Sequence, residues 1–176
     1  MSAATFRPPA GTRIIAKPPR LRSAVPARPA AAVPAAGLAV AKGTGEPAST
    51  VAATAIAFAK AQLGKPYQWG AAGPDAYDCS GLVYAAYAAA GIHLARTTYQ
   101  WQQDGPVVPL SQIQPGDLLF SAGSDGTSTN PGHVVMYLGG GRVIQAPQTG
   151  QAVQIDPADL ASVVVATRPA GLAAKP

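Results

Sequence analysis

The sequence is poor in the residues that build disulfides and metal sites. Its 176 residues include one cysteine, Cys79, and two histidines, His93 and His133. A single cysteine excludes an internal disulfide framework and a zinc site made of several thiolates. Apolar runs stay well short of the roughly 20 residues that a membrane-spanning helix needs. Residues 1–22 also lack the continuous apolar segment of a secretory signal.

Acidic residues are scarce in the first part of the chain, so the net charge of +5 is unevenly distributed. Residues 1–50 contain seven basic residues and one acidic residue, whereas the remainder contains six basic and seven acidic residues. The basic character therefore belongs to the N-terminal part, and the rest is close to neutral. This distribution argues against a specific nucleic-acid partner.

Residues 1–48 are rich in proline, alanine and basic residues and contain one aromatic residue, Phe6. Such a composition cannot form a packed core and predicts a disordered tail. The composition favours a linker. The functional alternatives are that the tail adheres to an anionic polymer, or that it is a targeting signal recognised by delivery machinery.

The remainder predicts helices first and strands afterwards. Residues 51–63 have helical character, with Ser49 or Thr50 as N-cap and Gly64 as the stop, and a second helix runs from Cys79 to Gly91. A polar connection with a short helical turn follows. Strands are predicted at residues 117–120, 133–138, 142–146, 153–155 and 162–167. This order predicts an α+β domain over residues 49–169, with a frayed end at residues 170–176.

Cys79 lies at the point where a glycine- and proline-containing loop becomes a helix. The first turn of a helix has unpaired backbone N–H groups and the positive end of the helix dipole. Both favour a thiolate, which is the nucleophilic form of cysteine. The position therefore predicts a reactive cysteine.

A cysteine nucleophile needs a base and a group that orients the base. His133 is the better candidate base, because it opens a strand directly after a Gly-Pro-containing turn, whereas His93 lies in a polar stretch typical of a surface. Gln145 is the candidate orienting group. If residues 139–141 form a three-residue turn, side-chain alternation puts Gln145 on the same face as His133. A two-residue turn would put Gln145 on the other face.

Each of these residues also has an ordinary structural interpretation. A lone buried cysteine is commonly a small apolar core residue, a histidine at a strand start is commonly satisfied structurally, and a hairpin glutamine is commonly solvated. The functional interpretation is strengthened when Cys79, His133 and Gln145 are considered together, because each occupies the place that its role requires.

The motifs of residues 50–168 resemble those of the NlpC/P60 peptidases in unbroken order, and look closest to actinobacterial cell-wall endopeptidase domains. The motifs are Tyr67-x-Trp69-Gly70, Asp78-Cys79-Ser80-Gly81-Leu82-Val83, Arg96-Thr97, Pro115-Gly116-Asp117-Leu118, Gly132-His133-Val134-x-Met136-Tyr137-Leu138-Gly139 and Ile144-Gln145-Ala146-Pro147. The resemblance implies a papain-like α+β fold with helices packed on a central antiparallel sheet. It also implies cleavage of peptidoglycan stem peptides between D-glutamate and meso-diaminopimelate.

Carried over to this sequence, the resemblance implies that Cys79 is the nucleophile, His133 the base and Gln145 the third catalytic member. The third member is often histidine in the family. Glutamine at this position is a mild departure from that pattern, which affects the expected reaction rate more than the presence of activity. No metal or organic cofactor is implied.

The resemblance also implies residues that contact the substrate. Tyr67 corresponds to the family tyrosine beside the cysteine, and Asp78 and Ser80 flank the site as candidate substrate contacts. Arg96 matches a family position, where an ion pair that orders a loop is an equal alternative. Asp117 is interpreted as structural.

Other functions stay open from the sequence. The chain could be a weakly active or non-catalytic wall-binding module, or an amidase or acyltransferase on the same fold. We expect a monomer that acts outside the cytoplasm, secreted or at the cell wall. Because no signal is visible, export by another route, as for a phage lysin or an injected effector, is the corresponding hypothesis.

Overall fold

The computed structural model describes residues 48–172 apart from Ser124, with side chains from residue 50 onward. The tail predicted over residues 1–48 therefore lies almost entirely outside the described residues. The helices are α1 (Ala48–Ala61) and α2 (Cys79–Ala89), and the strands are β1 (Leu118–Ser121), β2 (His133–Gly139), β3 (Arg142–Gln145), β4 (Gln154–Pro157) and β5 (Val163–Thr167). Short 3-10 helices span Thr98–Gln103, Leu110–Gln112 and Pro169–Leu172. The predicted α+β class is confirmed.

The five strands form one antiparallel sheet in the order β4-β3-β2-β1-β5. Side chains alternate between its two faces. On one face, Phe120, Val134 and Met136 join α1 and α2 in the main core. On the other face, Leu119, Val143 and Ala166 form a smaller cluster.

Small residues of both helices belong to the main core. Ala55 and Ala59 of α1 and Ala86 of α2 are fully buried. Alanine also has the highest intrinsic helix propensity, so the same residues favour the helices and let them approach.

The β2–β3 hairpin differs from the predicted three-residue turn. Gly139 pairs with Arg142, so the turn itself is the two residues Gly140 and Gly141. The register then shifts between Tyr137 and Gly139, because β2 has one extra residue there. This bulge restores the predicted pairing of Tyr137 with Val143. An even turn and a one-residue bulge therefore produce the register that was expected from an odd turn.

The frayed end predicted over residues 170–176 is wrong for residues 170–172, and residues 173–176 lie outside the described residues. Residues Pro169–Leu172 form a 3-10 helix that contacts α1, and Ala170 is 4% exposed. Arg168 binds the buried carboxylate of Asp117 through Nε and Nη2, both at 2.8 Å, which fixes this segment to the start of β1. Asp117 therefore has the structural role that was predicted for it.

Neither α1 nor α2, the α-helices of residues 48–172, is long and apolar enough to cross a membrane.

Candidate active site

Asp78 sets the point at which α2 begins and thereby places Cys79 in its first turn. The Asp78 side chain accepts a hydrogen bond from the Gly81 N–H at 2.5 Å, as an N-cap does. Its second oxygen accepts the Gly70 N–H at 2.8 Å. Asp78 thus joins the helix start to the preceding loop, a role that was not predicted from the sequence.

The loop before α2 lies against the helix through backbone atoms. The Asp78 N–H donates to the Ala71 carbonyl oxygen at 2.9 Å. Gly81 faces the same oxygen so closely that an added Cβ would lie 2.0 Å from it. Only glycine allows the loop and the first turn of α2 to meet in this way.

The guanidinium of Arg96 completes this arrangement. It lies 3.0 Å from Asp78 Oδ2, 2.9 Å from Ser80 Oγ and 2.8 Å from the Gly70 carbonyl oxygen. These contacts support the loop-ordering alternative for Arg96. They also tie up the polar groups of Asp78 and Ser80, although all three side chains still line the cleft.

The cleft has a volume of about 350 Å³. Two aromatic side chains at its rim are well exposed, Trp69 at 73% and Tyr99 at 46%. Neither was among the predicted site residues. The lining residues are Trp69, Gly70, Asp78, Cys79, Ser80, Arg96, Thr97, Thr98, Tyr99 and Gly132.

The Cys79 sulfur is nearly buried, with 9% of the residue exposed. Burial raises the pKa of the thiol, while hydrogen bonds from the backbone N–H groups of Val134, Ser80 and Cys79 itself lower it. The net direction is upward, so the pKa of the Cys79 thiol lies above its ordinary value, contrary to the predicted preference for thiolate. The helix start does supply stabilising N–H groups, but desolvation outweighs them.

Tyr67 lies close enough to Cys79 for their charges to interact. Burial raises the pKa of the Tyr67 hydroxyl, and the charges of Cys79, Asp78 and Asp125 raise it further. A neutral phenol beside the cysteine can donate a hydrogen bond into the site.

His133 opens β2, one residue before Val134, whose N–H contacts the Cys79 sulfur. No hydrogen bond joins Cys79 to His133 among the described residues. His133 Nε2 lies 2.7 Å from Gln145 Oε1, so the hairpin brings these two predicted residues together. Burial lowers the pKa of His133, and the Gln145 hydrogen bond raises it by less. The imidazole of His133 and the thiol of Cys79 are therefore both neutral near pH 7.

Asp156, which lies behind Gln145, was not predicted from the sequence. Gln145 Nε2 donates to Asp156 Oδ2 at 2.7 Å, and Gln154 Nε2 donates to the same oxygen at 2.8 Å. The pairing of β3 with β4 creates this contact, because Gln145 is opposite Gln154 and Val143 is opposite Asp156. The sequence contained one signal, the spacing of Gln154 and Asp156 on one strand face, but not the register of the pairing.

His93 is exposed and makes none of these contacts. The site therefore offers a buried thiol that accepts the N–H of the residue after His133, an imidazole held by an amide, and backbone N–H groups at a helix start. A thiol and a base so placed can transfer an acyl group through a thioester, with the N–H groups available to an oxyanion.

The sequence of residues 64–165 matches the NlpC/P60 family. It is 38% identical over 93 residues to a γ-D-glutamyl-L-lysine dipeptidyl-peptidase of Bacillus subtilis, and 41% identical over 109 residues to the murein DD-endopeptidase MepH of Escherichia coli. These alignments cover 53% and 58% of this chain, but only 31% and 40% of the two relatives. The chain thus spans less than half the length of either relative.

The structure is similar to that of the peptidoglycan hydrolase RipB of Mycobacterium tuberculosis, with a TM-score of 0.61 and 30% identity. That similarity covers 69% of this chain and 66% of the solved one. The helices and the five-stranded sheet described above are therefore an arrangement found in proteins of this group.

Proposed function

Because the chain belongs to the NlpC/P60 family, we propose that it is a peptidoglycan endopeptidase with Cys79 as nucleophile, His133 as base and Gln145 as the orienting third member. The observation that carries this proposal is the placement of Cys79. It lies at the start of α2, in a cleft, with its sulfur at the N–H of the residue that follows His133. The His133–Gln145 hydrogen bond supports the same assignment.

The reaction follows from this placement. As the Cys79 sulfur attacks the scissile carbonyl carbon, His133 accepts the thiol proton, and the carbonyl oxygen becomes negative. The backbone N–H of Cys79 and others at the start of α2 stabilise that charge. The C–N bond then breaks, and His133 gives the proton to the departing amine. Water, deprotonated by His133, releases the acyl group from sulfur.

The proposed substrate is a stem peptide, cleaved between D-glutamate and meso-diaminopimelate. The Bacillus subtilis relative, which is named for a γ-D-glutamyl bond to L-lysine, supports a γ-D-glutamyl acyl group. The Escherichia coli relative is named as a DD-endopeptidase, which favours a second candidate, cleavage of a bond between D-configured residues. Both candidates use the same chemistry.

Such a substrate implies that the protein acts outside the cytoplasm. We propose that the domain works as a monomer without a cofactor, and that its basic N-terminal segment contacts an anionic wall polymer or delivery machinery. Deleting residues 1–47 tests the last point. The proposal expects weaker retention on the wall or failed delivery, with unchanged hydrolysis of short soluble peptides; unchanged retention and delivery would contradict it.

The first experiment is digestion of diaminopimelate-type peptidoglycan, followed by mass spectrometry of the released peptides. Wild type, Cys79→Ala and His133→Ala are compared, and His93→Ala is the matched control because His93 is exposed. Disaccharide dipeptides ending in D-glutamate, formed only by wild type and His93→Ala, would support the proposed bond. Products cut only at the cross-link would favour the second candidate. Wall binding without products would favour a binding module.

A further inference from the structure

We propose that Asp156 is a positioning residue that sets the orientation of the Gln145 amide and, through it, the protonation pattern of the His133 ring. This inference rests on the proposed catalytic role of His133. The contacts form a continuous line from β2 through β3 to β4. His133 Nε2 is 2.7 Å from Gln145 Oε1, and Gln145 Nε2 is 2.7 Å from Asp156 Oδ2.

A glutamine amide can face its neighbours in two ways, because its oxygen and its nitrogen are similar in size. A carboxylate only accepts hydrogen bonds, so the NH₂ group of Gln145 must face Asp156. The opposite orientation would place the amide oxygen against the carboxylate oxygen and lose a charge-assisted hydrogen bond. Asp156 therefore directs the amide oxygen of Gln145 toward His133.

The amide oxygen in turn decides which nitrogen of His133 carries the proton. Oε1 is only an acceptor, so Nε2 must be protonated to bond to it. Nδ1 is then left without a proton and can receive one from a thiol. Without Asp156, Gln145 could turn its NH₂ group to His133, which would put the ring proton on Nδ1 and remove the base.

Asp156 also supplies the charge that a neutral third member lacks. A hydrogen bond to a carboxylate polarises the Gln145 amide and makes its oxygen a stronger acceptor. The negative charge thus favours the imidazolium that forms during the reaction, although the carboxylate does not touch His133. From the sequence, Gln145 was a candidate for orienting the histidine.

The position of Asp156 is itself determined by its neighbours. It lies on β4, the edge strand, next to Gln154, whose NH₂ group donates to the same oxygen at 2.8 Å. Asp156 is connected to His133 through Gln145, which bonds to both of them. Its effect should appear in the chemical step rather than in substrate binding.

The direct test is the tautomer of His133, observed by ¹⁵N NMR of the histidine rings in the full chain. The chain has two histidines, and the exposed His93 is an internal reference in every spectrum. Wild type should show His133 protonated at Nε2. Asp156→Asn keeps the shape but can donate as well as accept, so both amide orientations become possible and the His133 signals should shift toward a mixture. Asp159→Asn, at an exposed aspartate nearby in the sequence, should leave the spectrum unchanged.

The kinetic test compares kcat and KM on a soluble muropeptide. Asp156→Asn should lower kcat by roughly 10–100-fold, the size of effect known for residues that orient metal-bound histidines, with KM little changed. Rescue gives a sharper test. Gln145→Glu alone places two carboxylates together. When it is combined with Asp156→Asn, the new amide at position 156 can donate to the new carboxylate at position 145, which accepts from His133 directly. The double variant should be faster than Gln145→Glu alone.

The outcomes separate this inference from the proposed function. If wild type cleaves and Asp156→Asn keeps both its rate and the wild-type tautomer, the inference is overturned and the endopeptidase stands. If wild type cleaves nothing while Asp156→Asn changes the tautomer, the proposed function fails and the positioning of His133 by Asp156 stands. A double variant no faster than Gln145→Glu would overturn the charge argument.

Discussion

Gly81→Ala should destabilise the domain, although the same change in most helices is stabilising. Replacing glycine by alanine within a helix ordinarily contributes about 1 kcal/mol of stability. At Gly81, however, the new Cβ would lie 2.0 Å from the Ala71 carbonyl oxygen and 3.0 Å from the Ala72 Cα. Both neighbours are backbone atoms, so no side chain can rotate away.

The expected magnitude follows from what would have to move. Relief of the contact requires the loop at Ala71 to shift by roughly an ångström, and that loop is held by the Asp78 N–H bond to the Ala71 oxygen at 2.9 Å. Overpacking costs about 1–3 kcal/mol and the weakened hydrogen bond about 1 kcal/mol. After the gain of about 1 kcal/mol in helix propensity, the free energy of unfolding should fall by about 1–3 kcal/mol.

Urea denaturation followed by circular dichroism measures this difference. Ala88→Gly, at an exposed position of the same helix, is the matched control for propensity alone and should cost about 0.5–1 kcal/mol. Activity of Gly81→Ala should fall by more than its stability implies, because the displaced loop carries the cleft residues Trp69 and Gly70. A Gly81→Ala protein that is as stable as wild type, or more so, would refute the argument.

Three further predictions concern charge. Burial raises the pKa of Asp104 to about 6, so the folded state keeps a proton that the unfolded state releases near pH 3.8. The free energy of unfolding should therefore fall as the pH rises through about 4–6. Denaturation at several pH values should show a weaker pH dependence for Asp104→Asn than for wild type. Burial lowers the pKa of His133, so the imidazole stays neutral and kcat/KM should decline only below pH 6.5, its ordinary value, in a pH–rate profile. Arg96→Lys should lower kcat/KM while changing the free energy of unfolding by less than about 1 kcal/mol, because Arg96 is partly exposed and lysine cannot span Asp78, Ser80 and Gly70 together.

Each of these has an opposite result that would count against it. If Asp104→Asn had the same pH dependence of stability as wild type, a group other than Asp104 would be responsible for that dependence. If the acidic decline in kcat/KM had its midpoint at or above pH 6.5, the pKa of His133 would not be lowered as expected. A fully active Arg96→Lys protein would mean that a single point charge is enough to order the loop.

Local chemistry made most of the elements predictable. Gly64 and Gly91 follow α1 and α2 as helix stops, and both have the positive φ that favours glycine. Cys79 begins its helix as predicted. Alternation along β2 and β3 placed Gln145 beside His133 only together with an assumed three-residue turn; the two residues do meet, through a two-residue turn and a bulge.

What the sequence could not supply depends on groups that are distant in the chain or on a balance of opposing effects. Asp156 reaches Gln145 only through the pairing of β4 with β3, and no local signal fixes that register. The pKa of Cys79 depends on whether desolvation exceeds the helix-start N–H groups, which composition cannot weigh. The hairpin register was predicted correctly from a turn of the wrong length, because a bulge has no distinct sequence signature here.

The β2–β3 turn consequently has little tolerance for change in length. Exposed glycine turns are ordinarily where chains accept insertions and deletions most readily. Here Gly140, Gly141 and the extra residue at the bulge together determine which side of the sheet Gln145 occupies. Losing or gaining one residue in this segment would turn Gln145 away from His133 while leaving the sheet paired. The length of an exposed turn is therefore restricted by the contact between His133 and Gln145 at the other end of the two strands, which needs this register.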